Sequence, residues 1–213
     1  MRWIALAAAL ALPACAGAPE TSLRPEARGE AVSTSSVPGG GLCGVPGLAG
    51  AAGRSIKGKI KGCGLEDGVQ VFHVAGIPLT QGASMDCTTA RAFHQWVTQG
   101  AIPAIGGRGG GLKELKVAAG YACRTRNHRK GGKISEHGKG RAVDISGFTL
   151  RDGTEVSLLR GWRDPTYGPI LKAMHGAACG PFSTVIGPDG DRFHQNHLHF
   201  DTARRKSGYR YCR

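Results

Sequence analysis

At 213 residues, with 40% hydrophobic and 6% aromatic content, the chain is long enough to bury one compact core and too short for two full domains plus unstructured length. Its 28 basic and 15 acidic residues leave a formal charge of +13, which favours anionic partners such as phospholipid head groups, lipopolysaccharide or wall carboxylates. Nucleic acid is set aside, because the chain opens on an export signal and carries no recognisable reader motif.

The opening residues MRWIALAAALALPACAGAPE place one positive charge, Arg2, before an apolar run from Trp3 to Leu12 and a group of small residues from Ala14 to Gly17. That is the pattern of an export signal, and the run is too short for a stable membrane span. Its end, Leu12-Pro13-Ala14-Cys15, resembles the bacterial lipobox. The resemblance implies lipidation of Cys15 and a periplasmic protein anchored in the outer membrane. Ordinary cleavage after Ala14-Cys15-Ala16 would instead release a soluble periplasmic protein. Residues 1–15 are thus expected to be signal. Residues 16–42, rich in Ala, Gly, Pro, Ser and Glu and free of aromatic residues, read as a flexible tether, and residues 43–213 as the folded domain.

Setting Cys15 aside leaves six cysteines, Cys43, Cys63, Cys87, Cys123, Cys179 and Cys212. An even number in an exported chain reads as three disulfides, with the pairing left open, and no CxxC spacing argues for a cysteine-based zinc site.

From Cys43 to about Ser84 the chain is Gly-rich, with one alternating stretch, Val69 to Val74, and reads as a disulfide-pinned entry region. In MDCTTARAFHQWVTQGAI, Ala90, Phe93, Trp96 and Val97 recur at helical spacing and Asp86 sits where a cap belongs, so an amphipathic helix follows, with His94 on its outer side. The glycines of Gly106 to Gly111 lack the ending of a phosphate loop and read as a plain loop. Leu115, Val117, Ala119 and Tyr121 alternate as a strand ending near Cys123 and Arg124, and TRNHRKGGK reads as an exposed basic loop with a solvated His128. A second strand runs from Arg141 to Phe148, with a hairpin turn at Asp152-Gly153. Asp164-Pro165 opens a helix reaching about Ala178, and PFSTVIG and NHLHFDT are strands flanking the loop from Pro188 to Gln195. Without the regular alternation of a doubly wound sheet, these elements predict an α+β fold with a mainly antiparallel sheet and flanking helices.

Strand periodicity also sorts the polar residues. His197 and His199 share one face of their strand, while Leu198 and Phe200 share the other. In the strand after Gly140, Asp144 shares its face with the small residues Ala142 and Ser146, which leaves room beside the carboxylate. The glycine turn at Gly138 and Gly140 lets His137 fold back toward it. Nitrogen and oxygen donors of this kind suit zinc, and a site with three protein ligands keeps a position open for water. Ser135 and Asp201 are placed to hold imidazoles from outside, and Glu136 reads as facing solvent or supporting the site from behind.

Ser135-x-His137-x-x-Gly140-x-Ala142-x-Asp144, followed downstream by His197-x-His199, resembles the pattern of the zinc peptidases that group lysostaphin, D-Ala-D-Ala carboxypeptidases and the hedgehog signalling domain. Met85-x-Cys87, GYACR, SEHGKGRAVDISGF, DGTEVS, AACGPFSTVIGPDGDRFHQNHLHFD and the terminal GYRYC resemble, more closely still, the bacterial extensin-like C-terminal domain family from about Met85 to Cys212. Yet the chain has only 11 prolines and no Ser-Pro repeats, so composition gives no support to a structural, extensin-type role.

What the resemblance implies is a hedgehog/D-Ala-D-Ala-peptidase-like fold with zinc held by His137, Asp144 and His199. His197 would act as general base, and Arg124 or His194 would stabilise the oxyanion of a peptide or amide hydrolysis directed at peptidoglycan stem peptides. The chain departs from the carboxypeptidases in two places. No glutamate precedes the last histidine, where RFHQNHLH offers only His194 and His197, and Arg124 is displaced by two residues from the usual arginine. Because the hedgehog domain carries such a site without acting as a peptidase, a zinc-stabilised wall-binding module or a structural lipoprotein is the alternative expectation.

Overall fold

A computed structural model describes residues 40–213; the expected signal, Cys15 and nearly all of the expected tether lie outside the described residues. The strands β1 (Leu48–Lys57), β2 (Gly64–Val74) and β3 (Ile77–Met85) form an antiparallel meander where the sequence suggests only an entry region with one alternating stretch. β2 contains that stretch. β1 escapes a periodicity argument because it begins LAGAAG and most of its side chains are exposed. The β2–β3 hairpin turns at Ala75 and Gly76, both at positive φ (52° and 77°), and an alanine there carries none of the usual Asn-Gly signal.

α1 (Cys87–Trp96) begins where the cap predicts, with the Asp86 carboxylate accepting the Thr89 N–H at 2.7 Å. The helix continues through a wide turn, Val97–Ala101, into the short α2 (Ile102–Ile105). β4 (Leu112–Ala119) stops short of Cys123, because beyond it the Tyr121 N–H turns to the Ser84 carbonyl and the Ala122 N–H to that of His137. β5 (Ala142–Leu150) pairs with β6 (Glu155–Ser157) through the expected Asp152-Gly153 hairpin. After α3 (Leu158–Gly161), α4 (Gly168–Ala178) begins later than Asp164-Pro165 predicts. The Asp164 carboxylate instead accepts the Thr166 and Tyr167 N–H groups in a turn that leads into the helix.

β7 (Thr184–Ile186), β8 (Leu198–Asp201) and β9 (Tyr211–Cys212) complete a nine-stranded sheet of order β1-β2-β3-β4-β5-β8-β7-β9, with β6 on β5. Pairing is parallel only at β3–β4 and β7–β9, so the expected α+β fold with a mainly antiparallel sheet is what forms. The six cysteines pair as Cys43–Cys87, Cys63–Cys123 and Cys179–Cys212. The first ties the entry segment to the start of α1, the second ties the β1–β2 hairpin to the segment after β4, and the third ties the end of α4 to β9.

Where β5 meets β8, the two faces of the sheet divide. Val143 lies opposite Phe200 and Ile145 opposite Leu198, all fully buried in the core under α1 and α4. Phe200 packs against Trp96, ring centroids 4.9 Å apart, and against Phe182 at 5.0 Å, while the Trp96 indole N–H donates to the Met174 carbonyl at 2.8 Å. The opposite face of the same two strands carries Ala142, Asp144, His199 and Asp201. Truncating Phe200 to alanine is expected to cost about 3–5 kcal/mol in urea unfolding with the disulfides intact. A loss under about 1 kcal/mol would mean that this aromatic stack does not anchor the sheet.

Candidate metal centre

The register of β5 against β8 sets Asp144 directly opposite His199, and Ala142 opposite Asp201, which also faces Thr184 of β7. The methyl of Ala142 leaves the Asp201 carboxylate free to lean back toward His199. His137 reaches the same place on the single turn Glu136–Lys139, closed by Gly140 in the left-handed region (φ 65°), where an added Cβ would strike Leu65 at 2.5 Å. Behind His137, a Cβ on Gly138 would meet the Cys63 sulfur at 3.0 Å, so the β1–β2 hairpin presses the turn into position.

Three donor atoms converge. His137 Nε2 lies 3.1 Å from Asp144 Oδ1 and 3.1 Å from His199 Nδ1, and the last two are 2.9 Å apart. His137 is fully buried, Asp144 is 4% exposed and His199 is 9% exposed. Each imidazole is held from outside. The His137 Nδ1–H donates to the Gly120 carbonyl at 2.7 Å, and the His199 Nε2–H to Asp201 Oδ2 at 3.2 Å. A carbonyl can only accept, so it fixes the proton on Nδ1 and turns the His137 Nε2 lone pair inward. Asp201 does the same for His199, leaving Nδ1 inward.

Two lone pairs and a carboxylate oxygen aimed at one another repel unless a cation or a proton lies among them. Donors about 2.0 Å from a tetrahedral zinc sit roughly 3.3 Å from one another, close to the observed spacing, and the two-nitrogen, one-oxygen set is one that zinc accepts. The residues therefore fit such an ion. A second grouping of donor atoms, His175 with Cys179 and Cys212, does not compete, because its two sulfurs are joined as a disulfide and offer no thiolate.

Electrostatics at the triad follow from these bonds. Burial alone would raise the Asp144 carboxyl, but the His137 and His199 rings packed against it outweigh burial and hold it far below the usual carboxylate range. Burial disfavours charge on His199, yet Asp144 and Asp201 on its two nitrogens outweigh it and push the group up to about 9. Burial likewise works against the charged form of Asp201, and the His199 hydrogen bond overrides it to lower the group.

The remaining predicted residues surround the triad. Arg124 and His194 line a cleft of about 330 Å³ together with Arg126, His199, Asp201 and Tyr211. His197 places Nε2 3.7 Å from Asp144 Oδ2, and its Nδ1–H donates to Asn196 Oδ1 at 2.8 Å. Burial, partly opposed by Asp144, pushes His197 below its ordinary value.

Ser135 does not take the outer-partner role expected of it. Its N–H donates to the Arg124 carbonyl, and the Gly120 carbonyl holds His137 instead. Glu136 is buried rather than solvent-facing, paired with Lys139 at 2.8 Å and Arg126 at 3.4 Å. Sequence reasoning also passes over Asp191, whose carboxylate accepts the His194 Nδ1–H at 2.7 Å, although its spacing three residues before the histidine is a readable signal. Gly120 acts through a backbone carbonyl, which leaves no trace in residue identity.

A family model described as extensin-like protein C-terminus matches residues 49–213. No curated protein and no solved structure matches the chain.

Two outcomes test the centre. In chelator-treated protein, His199 contributes stability that is full below its unfolded value near 6.5 and is lost as pH rises through about 9. A metal needs the deprotonated ring, so a zinc-saturated sample should keep its Tm over that window and the gap between the two melting curves should widen with pH. Parallel curves would refute the assignment. Asp201→Ala should weaken zinc affinity by about 10–100-fold in competition with a chelating dye. Unchanged affinity would remove Asp201 from the site.

Proposed function

Because the chain belongs to the extensin-like C-terminal family over residues 49–213, and because two buried imidazoles and a carboxylate converge in it with His137 Nε2 and His199 Nδ1 turned inward, we propose that it is a zinc-dependent peptidase or amidase of the bacterial envelope that cuts peptidoglycan peptides. The observation that carries this reading is the triad of His137, Asp144 and His199 with donor atoms no more than 3.1 Å apart. The resemblance of its motifs to the lysostaphin, D-Ala-D-Ala carboxypeptidase and hedgehog group supports the same chemistry. Zinc would be held by these three side chains and would supply Lewis acidity, polarising a carbonyl and easing deprotonation of water.

The chain's own residues supply the rest. Three protein donors would leave a bound zinc a further coordination position, as a hydrolytic site requires, and His199 borders the cleft described above. Arg124 lines that cleft, so its guanidinium is available to the oxygen of a scissile carbonyl as negative charge develops there. His194 and His197 are the two imidazoles beside the triad that are not among its donors, and one of them takes the proton of the attacking water.

The envelope assignment rests on the export signal, on three disulfides of the kind an oxidising compartment maintains, and on the +13 charge, which suits an anionic wall polymer. Lipidation at Cys15 would hold the domain at the outer membrane, facing its substrate.

Digestion of purified muropeptides by zinc-loaded protein, followed by mass spectrometry, tests the proposal. Release of a stem-peptide fragment or amino acid is expected, and His137→Ala and Asp144→Ala should each abolish both stoichiometric zinc and cleavage. Full zinc occupancy with every muropeptide intact would replace the peptidase by a zinc-stabilised wall-binding module.

A further inference from the structure

The two imidazoles beside the triad are not equivalent. His197 is the expected base from the sequence pattern, but its Nε2 is turned toward Asp144 Oδ2 at 3.7 Å, on a residue that already belongs to the triad. Its other nitrogen is engaged by Asn196, its neighbour in the chain. His197 does not line the cleft; His194 does, beside His199 and Asp201. The ring centroid of His194 lies 5.6 Å from that of His199 and 5.1 Å from that of His197, so it stands beside His199, the donor that borders the cleft.

A carboxylate also backs His194. Asp191 Oδ1 accepts the Nδ1–H of His194 at 2.7 Å and the backbone N–H of Phe193 at 2.7 Å. The loop is pinned again by the Gln195 side-chain amide, which donates to the Pro188 carbonyl at 2.6 Å and the Asp191 carbonyl at 2.7 Å. A carboxylate on Nδ1 fixes the tautomer and leaves the Nε2 lone pair as the ring's only proton acceptor. A base oriented by a third group is the arrangement that activates water in hydrolases generally.

We infer that His194, oriented by Asp191, is the general base of the hydrolysis, and that His197 is a positioning residue acting through Asp144. This rests on the peptidase reading above. In the step assigned to His194, Nε2 takes a proton from the attacking water as the oxygen–carbon bond forms. The same proton then passes to the departing nitrogen as the carbon–nitrogen bond breaks, leaving a carboxylic acid and an amine.

The test compares zinc-loaded full-length wild type with His194→Ala, Asp191→Asn and His197→Gln, using purified muropeptides as substrate and measuring zinc content and Tm for each. His194→Ala should retain stoichiometric zinc, lose about 10²-fold or more in kcat with little change in KM, and recover part of the loss when imidazole is added to the buffer. Asp191→Asn should lose kcat about tenfold or more with zinc retained, because the amide no longer fixes the tautomer. His197→Gln should shift zinc affinity more than kcat at saturating zinc.

A readout that needs no turnover accompanies these. Diethyl pyrocarbonate, mapped by mass spectrometry, should acylate His194 on zinc-loaded protein while His137 and His199 stay protected. Wild type that cuts muropeptides, with His194→Ala equally active or unresponsive to imidazole, overturns this inference alone. Wild type that holds zinc and cuts nothing overturns the peptidase reading and this assignment with it. A protected His194 would show that its Nε2 does not face the cleft and would also overturn it.

Discussion

The antiparallel pairing of β5 with β8 is the constraint on which the candidate centre depends, because it puts Asp144 across from His199 and leaves both on the face away from Phe200 and Val143. Strand side chains alternate, so sliding either strand by one residue would exchange the faces and drive two charged groups into the aromatic core. Burial of Val143, Ile145, Leu198 and Phe200 under α1 and α4 makes that slip prohibitive. The apolar half of the sheet thus enforces the geometry of the polar half. The disulfides act on the same region from the outside, since Cys63–Cys123 fixes the segment whose Gly120 carbonyl and Ala122 N–H hold His137 by its ring and its backbone.

Burial sets the electrostatics of the donor set. In water, two imidazoles and a carboxylate would be solvated separately and would attract a metal only weakly. Here desolvation works against each charge, and the mutual hydrogen bonds, or a cation held among the donors, must compensate. Asp201 and the Gly120 carbonyl decide which nitrogen of each ring faces inward, so they govern the centre without belonging to it. The cleft that His199 and Asp201 border is also lined by Arg124, Arg126 and Tyr211 of the last strand.

Much of this is legible in the residues. Period-two alternation separates His199 from Phe200 and Asp144 from Val143, and the glycines at 138 and 140 announce the turn that carries His137. Asp86 marks the start of α1, and Asp152-Gly153 marks the β5–β6 hairpin. The meander of β1 to β3 stays hidden because a strand of small, exposed residues has no hydrophobic period, and because its turn uses an alanine at positive φ. The orientation of His197 is hidden for another reason. Alternation says which face of a strand a side chain occupies, but His197 precedes β8, and its ring turns about χ1 and χ2 to meet Asn196 and Asp144. The Cys63–Cys123 pair and the Gly120 carbonyl depend on tertiary approach alone, which no local pattern encodes.

The three donors of the centre also come from distant parts of the chain, with His137 and His199 62 residues apart in sequence and Asp144 55 residues from His199. An unfolded chain holds no ready-made chelate, since gathering these groups means closing long loops that only the finished sheet closes. Were the chain exported unfolded, as the envelope proposal has it, it would cross the membrane without an ion and could take one only where it folds. On that reading the choice of metal would belong to the folded pocket and to the compartment around it.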